Sequence, residues 1–150
     1  MRVLGYVFVS LVLALGIVGL DYHLSGTYLQ EFLNNHFIET FATLAGFNIA
    51  AVIFLVGQLM MLEEKHDTEF LNTRREIKHN AYFLLSSFVI CLLLLIFRPD
   101  YLIGVSLSAN LPYYEFNVLI LTVFELAIFA IFEILKAVFI LGRTIKSQSV

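Results

Sequence analysis

Cysteine is almost missing from this chain. Cys91 stands alone inside an apolar run, so no intrachain disulfide can form and nothing points to an oxidative scaffold. Histidine is sparse too: His23, His36, His66 and His79 are scattered with no second ligand at metal spacing, which argues against a metal site. There is no Ser/His/Asp arrangement, no Gly-rich phosphate loop and no paired cysteine. No enzyme class, catalytic residue or cofactor is therefore implied. Charge is thin as well, with 14% of the 150 residues charged, and no block of one sign suggests direct binding of nucleic acid.

What the chain has in abundance is apolar surface. Hydrophobic residues make up 60% of it and the mean hydropathy is +0.89, far beyond what a soluble domain of this length needs. A helix of about 20 residues crosses a hydrocarbon core of roughly 30 Å. Four such spans can be placed, at about 3–22, 41–62, 80–98 and 116–141. The expected fold is all-α, a single transmembrane domain over 1–150 forming a polytopic four-helix membrane protein in contact with lipid.

The basic residues orient it. Arg2, Lys65, Arg74, Arg75, Lys78, Arg143 and Lys146 flank the first terminus, the connection between the second and third spans, or the last terminus; Lys136 lies late in the fourth span, and Arg98 alone lies at the other side. The positive-inside rule then predicts both termini and the 63–80 connection in the cytoplasm. Tyr22, Tyr28, Tyr101, Tyr113 and Tyr114 all fall on the opposite side, as an interfacial aromatic belt does. Met1–Leu20 has the layout of a secretory signal with Ala14-Leu15-Gly16 as cleavage site. Removing it leaves three spans and termini on opposite sides, so it is read as the first transmembrane helix, with Gly5, Ser10, Ala14, Gly16 and Gly19 placed for close contact with the second.

The second span, Phe41–Leu62, is expected to organise the rest. Ala42, Gly46 and Ala50 fall four apart on one stripe, a spacing that lets another backbone approach closely in lipid. Before it, Thr27 and Gln30 form a capping-box pattern and Tyr28, Leu29, Phe32, Leu33 and Phe37 recur near helical spacing. These predict a short helix lying on the outer interface. After it, Glu63–Asn80 carries five acidic and four basic residues, a solvated helical hairpin whose second helix is predicted to start at the Thr73/Glu76 capping box. This cytoplasmic extension, with Glu63, Glu64, Lys65, Asp67, Glu69, Arg74, Arg75 and Lys78, joins Arg143 and Lys146 of the tail as the surface able to dock a protein partner.

Asn48, Gln58 and Glu125 stand out as the intramembrane polar residues that need a partner. An ionised acid near the bilayer centre costs at least a few kcal/mol, so Glu125 must be protonated, paired or facing water. Depth arithmetic puts Asn48 at a similar level, and the two are expected in one polar cluster, either as a pore or proton-sensitive element or as an interhelical bond that fixes packing. Glu133 and Lys136, three apart, are placed for an ordinary ion pair. Ser86 and Ser87 are read as bonding back to the preceding turn, and Pro99 as ending the third span.

The run FATLAGFNIAAVIFLVG, followed by a charged hairpin and a second pair of spans, resembles small four-span proteins of bacterial anti-phage systems, among them the Kiwa membrane subunit KwaA and the phage exclusion protein RexB. Likeness to the first implies a homo-oligomeric subunit in the bacterial inner membrane that responds to infection at the envelope and acts with a cytoplasmic DNA-binding partner. Likeness to the second implies ion conduction that depolarises the cell, with Asn48 and Glu125 as lining candidates. Arg74 with His79 also shares the Arg-x4-His spacing of HEPN ribonucleases, but at the mouth of a transmembrane helix it is read as a solvated charge set.

Overall fold

The computed structural model describes residues 2–24, 27–66, 71–102 and 107–148, with side chains over 4–24, 27–64, 71–102 and 108–140. Every regular element in it is helical: α1 (Arg2–His23), α2 (Tyr28–Glu31), a π-helical turn (Phe32–His36), α3 (Phe37–His66), α4 (Leu71–Phe97) and α5 (Leu107–Gln148). Four helices are long and apolar enough to cross a membrane: Leu4–His23, Tyr28–Glu64, Leu71–Phe97 and Ser108–Ile140.

The organising helix is α5, not the second span. Both α1 and α4 pack along it, and α3 packs on both α4 and α5. A third of the most apolar window of α5 is buried, 33% against 17% for each of the others, and no residue from Ile120 to Ile131 is exposed. A helix apolar on every side is the one a bundle closes around. Its 42 residues reach about 63 Å at 1.5 Å per residue, so it overshoots a hydrocarbon core of roughly 30 Å.

Side-chain pairs fix the directions. Tyr6 stacks on Phe129 with centroids 5.2 Å apart and Tyr22 meets Tyr114 at 5.7 Å, so α1 runs antiparallel to α5. Ser10, Ala14 and Val18, four apart and buried, are the stripe α1 turns inward. The main neighbour of α1 along the bundle is α5, and α1 meets the second helix at its α2 end; Gly5 and Gly16 lie on the exposed side of α1. Phe41 stands against both Phe88 of α4, 5.1 Å, and Phe124 of α5, 5.4 Å, and Phe37 adds a fourth ring 5.1 Å from Phe124. Lipid tails are as apolar as these rings, so burial alone drives little association; close dispersion contact and ring geometry hold the three helices together. A second layer, Leu55 and Leu59 with Ile77 and Ile134, closes the opposite end.

Three local expectations are corrected. Residues 28–37 do not form a separate interfacial helix; α2 and the π turn run unbroken into α3 as one 37-residue helix over Tyr28–Glu64. At about 100° per residue each i+4 step drifts about 40°, and the wider turn removes part of that drift. Leu29, Leu33, Phe37 and Phe41 thereby stay on one buried face. Thr27 makes no side-chain cap. Asp21 at the end of α1 accepts the Leu29 N–H instead, at 3.2 Å. Third, α4 begins at Leu71, ahead of the Thr73/Glu76 pattern, and α5 begins at Leu107, ahead of Phe116. Pro112 lies inside α5, past its first turn, so the i→i−4 bond its N–H would have made is forgone there.

Ser87 Oγ bonds back to the Phe83 carbonyl at 2.8 Å. Cys91 is fully buried against the Ile120 carbonyl, 3.8 Å from Sγ. A membrane-permeant maleimide is therefore expected to label Cys91 in mild detergent roughly tenfold or more slowly than after SDS unfolding. Equal rates would show that α4 and α5 part at this level.

Candidate functional site

Two ends of the bundle differ in chemistry. The tyrosine end carries the α1–α2 and α4–α5 connections, and the charged end carries the α3–α4 connection and the continuation of α5.

At the tyrosine end, one cation gathers three elements. Arg98 follows the last residue of α4 and donates to Asn34 Oδ1 on the π turn and, at 3.3 Å, to Asn117 Oδ1 on α5. Its guanidinium carbon stands 5.4 Å from the Tyr113 ring centre. Arg suits this role because its planar fork can serve two acceptors and an aromatic face at once. Close by, Asn110 pairs with the Leu102 backbone in both directions, accepting from its N–H at 2.9 Å and donating to its carbonyl at 3.0 Å. The chain leaving α4 is thus bound to the first turns of α5. From the sequence Arg98 reads as an interfacial residue at the end of the third span and Asn110 as part of a polar connection, while Asn34 and Asn117 carry no local signal that links them to Arg98.

The intramembrane polar residues do not form the expected cluster. Asn48 is buried and neither atom of its amide has a partner. It lines a cavity of about 170 Å³ between α3 and α4 with Ala45, Val52, Ala81 and Leu84. Counting from the tilted ring pair Phe41 and Phe88, Asn48 lies about 10 Å and Asn80 about 12 Å further along antiparallel helices. Asn80 is therefore level with Asn48; it donates to the Ala130 carbonyl of α5 at 3.0 Å, and its Oδ1 is unpartnered. Glu125 instead follows Phe124, the ring that faces Phe41, about six residues or ~9 Å from the level of Asn48. The α1–α5 register sets it beside Ser10, and Glu125 Oε2 and Ser10 Oγ are both buried without partners. Two polar levels replace the single one expected, and Gln58 is half-buried nearer the charged end.

Below Asn80 a crevice of about 290 Å³ opens between α4 and α5, lined by Thr73, Glu76, Asn80, Glu133 and Lys136 among others. Glu133, expected to pair with Lys136, accepts from the Tyr6 hydroxyl at 2.9 Å. Beyond it Arg74 bonds Glu63 and ties α4 to α3; Glu64, Arg75 and Lys78 are exposed, Lys78 lying 5.7 Å over the Tyr82 ring. Of the other docking candidates, Asp67 and Glu69 lie outside the described residues. Lys65, Arg143 and Lys146 are helical in backbone, with side chains outside the described set. Among the described residues no three His, Cys, Asp or Glu come together.

The small-residue stripe faces outward. Ala42, Gly46 and Ala50 are all exposed, and a Cβ at Gly46 would meet nothing within 4 Å, so no helix of this chain lies against it.

Fold and polar layout together describe an all-helical chain whose four helices are long and apolar enough to cross a membrane, with an amide-rich cap at one end and a charged helical pair at the other. No protein-family model matches the chain, and no match is found among curated proteins or solved structures.

Proposed function

We propose that this chain is an inner-membrane subunit of a bacterial anti-phage defence system, which senses infection at the envelope and docks or activates a cytoplasmic DNA-binding partner. The distribution of Lys and Arg supports an arrangement with both termini and the α3–α4 connection in the cytoplasm. The carrying observation is the charged end. There α3 and α4 continue past their last buried layer, Leu59 and Ile77, as a pair tied by Arg74 and Glu63 and presenting Glu64, Arg75 and Lys78 to solvent. Such a projection contributes nothing to crossing a bilayer and suits a protein partner. The outward stripe Ala42, Gly46 and Ala50 supports a homo-oligomer, because small residues on a lipid-facing surface permit close backbone approach by another copy.

A second reading, an oligomeric channel that depolarises the membrane, draws on the unpartnered polar atoms of Ser10, Asn48, Asn80 and Glu125 at membrane depth. Such groups are costly in lipid and often mark ion or proton paths. The two readings separate in one experiment. The tagged chain is purified from its host in mild detergent, beside a variant in which the charges of Glu63–Lys78 are replaced by Gln and Ser. A soluble DNA-binding protein recovered with the wild type and lost from the variant is the expected result. Recovery of no soluble partner with either, together with ion flux through liposomes carrying the purified chain, would overturn it in favour of the channel.

A further inference from the structure

Two cavities at the tyrosine end share a wall. The first, about 190 Å³, is lined by Asp21, Thr27, Gln30 and the four tyrosines Tyr22, Tyr101, Tyr113 and Tyr114. The second, about 580 Å³, is an apolar groove between α1 and α5, where Leu15, Val18, Gly19, Val118 and Leu119 lead up to Tyr22 and Tyr114. Among the described residues, the only charged side chains lining either cavity are Asp21 and Glu115, both acidic.

From this pairing we propose that the tyrosine end is a binding site for a phospholipid with an ammonium head group, the head lodged in the tyrosine cavity and an acyl chain in the adjoining groove. Any groove facing the bilayer fills with acyl chain, so the specific content lies in the head. Aromatic faces attract ammonium through their quadrupole, and grouped rings form the cages that hold quaternary and primary ammonium groups. The rings here are already held in place by one another: Tyr101 lies 5.4 Å from Tyr113 and 6.3 Å from Tyr114, which meets Tyr22 at 5.7 Å. Arg98 covers Tyr113 but does not line the cavity. Asp21 supplies the counter-charge. Its Oδ1 accepts from Leu29, and Oδ2 is left for a second donor. An anionic head without an amine meets two carboxylates and, among the described lining residues, no cation, so the site discriminates by sign. Tyrosine is also the residue that sits at head-group depth, which brings the cavity to the ligand.

Three properties make this testable with the full chain. Asp21→Asn removes the charge yet keeps an oxygen for the Leu29 N–H, so the α1–α2 corner remains capped. Gly19 lines the groove, and a Cβ there would meet nothing within 4 Å, so Gly19→Leu starts from open space and takes up room in the groove. Ethanolamine and choline carry the head-group chemistry without an acyl chain. Wild-type protein is incorporated into nanodiscs of equal phosphatidylethanolamine and phosphatidylglycerol with matched chains, released, and the retained lipid is counted by native mass spectrometry. The expected result is a preference for phosphatidylethanolamine of roughly fivefold or more, reduced to about one in Asp21→Asn. Retention of both lipids is expected to fall in Gly19→Leu, with the melting temperature in detergent unchanged in both variants. Equal retention of the two lipids by wild type, or an undiminished preference in Asp21→Asn, would overturn the proposal. Displacement of the lipid by millimolar soluble ethanolamine or choline would overturn it as well, by assigning the cavity to a free amine.

Discussion

Replacing Arg98 by leucine is expected to lower the unfolding free energy by about 2 to 4 kcal/mol, measured by equilibrium unfolding in mixed mild-detergent and SDS micelles. The guanidinium donates to Asn34 and Asn117 and stands over Tyr113, and it is half-buried. Charge-assisted hydrogen bonds contribute about 1.5 to 3 kcal/mol each when desolvated, less near water, and the ring contact about 0.5 to 1. The larger part of the loss is indirect. Asn117 is fully buried, its Nδ2 already has no partner, and Arg98 is the one donor the structure gives its Oδ1. Leucine at position 98 leaves that amide wholly unsatisfied. Two further variants separate this account from a general loss of packing. Arg98→Lys keeps the charge but not the fork, so it is expected to recover less than half of the loss. Leucine at both 98 and 117 removes donor and acceptor together and is expected to be more stable than Arg98→Leu alone, because an orphaned buried group costs more than an absent one. A double variant weaker than the single would refute the assignment.

That pair also shows where sequence reading ends. The four long apolar helices were legible from hydropathy and length. The choice of central helix was not. The stripe Ala42, Gly46 and Ala50 was read as the helix-packing face on good physical grounds, but small residues state that some backbone can approach, not whose. Within this chain the position is taken by the buried stripe of α5, while Ala42, Gly46 and Ala50 remain outside. The Thr27/Gln30 pattern failed for a related reason: the Leu29 N–H is met by Asp21 from the preceding helix, a tertiary partner that outcompetes a local one. Arg98 reaches Asn34, 64 residues away, and Asn117, 19 away, and no local window connects them. Asn48 and Glu125 were read as one polar cluster, and the structure sets them on two levels, each with buried atoms that lack a partner. Their separation comes from the register of Phe41 on Phe124, which rests on ring packing and not on distance from a helix end.

Glu125 carries the second large expectation, and it runs against intuition for a charged residue in a core. Glu125→Leu is expected to stabilise the monomer in detergent by about 1 to 3 kcal/mol in the same unfolding measurement. Its Oε2 is buried with no donor, and Ser10 Oγ at the same level is likewise unpartnered. Leucine removes a desolvated oxygen and leaves apolar volume among Leu121, Ala127 and Phe124. Glu125→Gln keeps the shape and adds two donors, so it is expected to fall between wild type and leucine, with any gain depending on whether the new N–H₂ reaches Ser10. If the monomer instead loses stability with leucine, the carboxyl has a partner within the subunit and serves as packing glue. If the monomer gains stability while cross-linked oligomers disappear, the partner lies across the interface between copies. If stability rises, oligomers persist and ion flux in liposomes is lost, Glu125 is held at a cost in stability because conduction needs it. A residue that destabilises its own fold and has no structural partner is one retained for what it does.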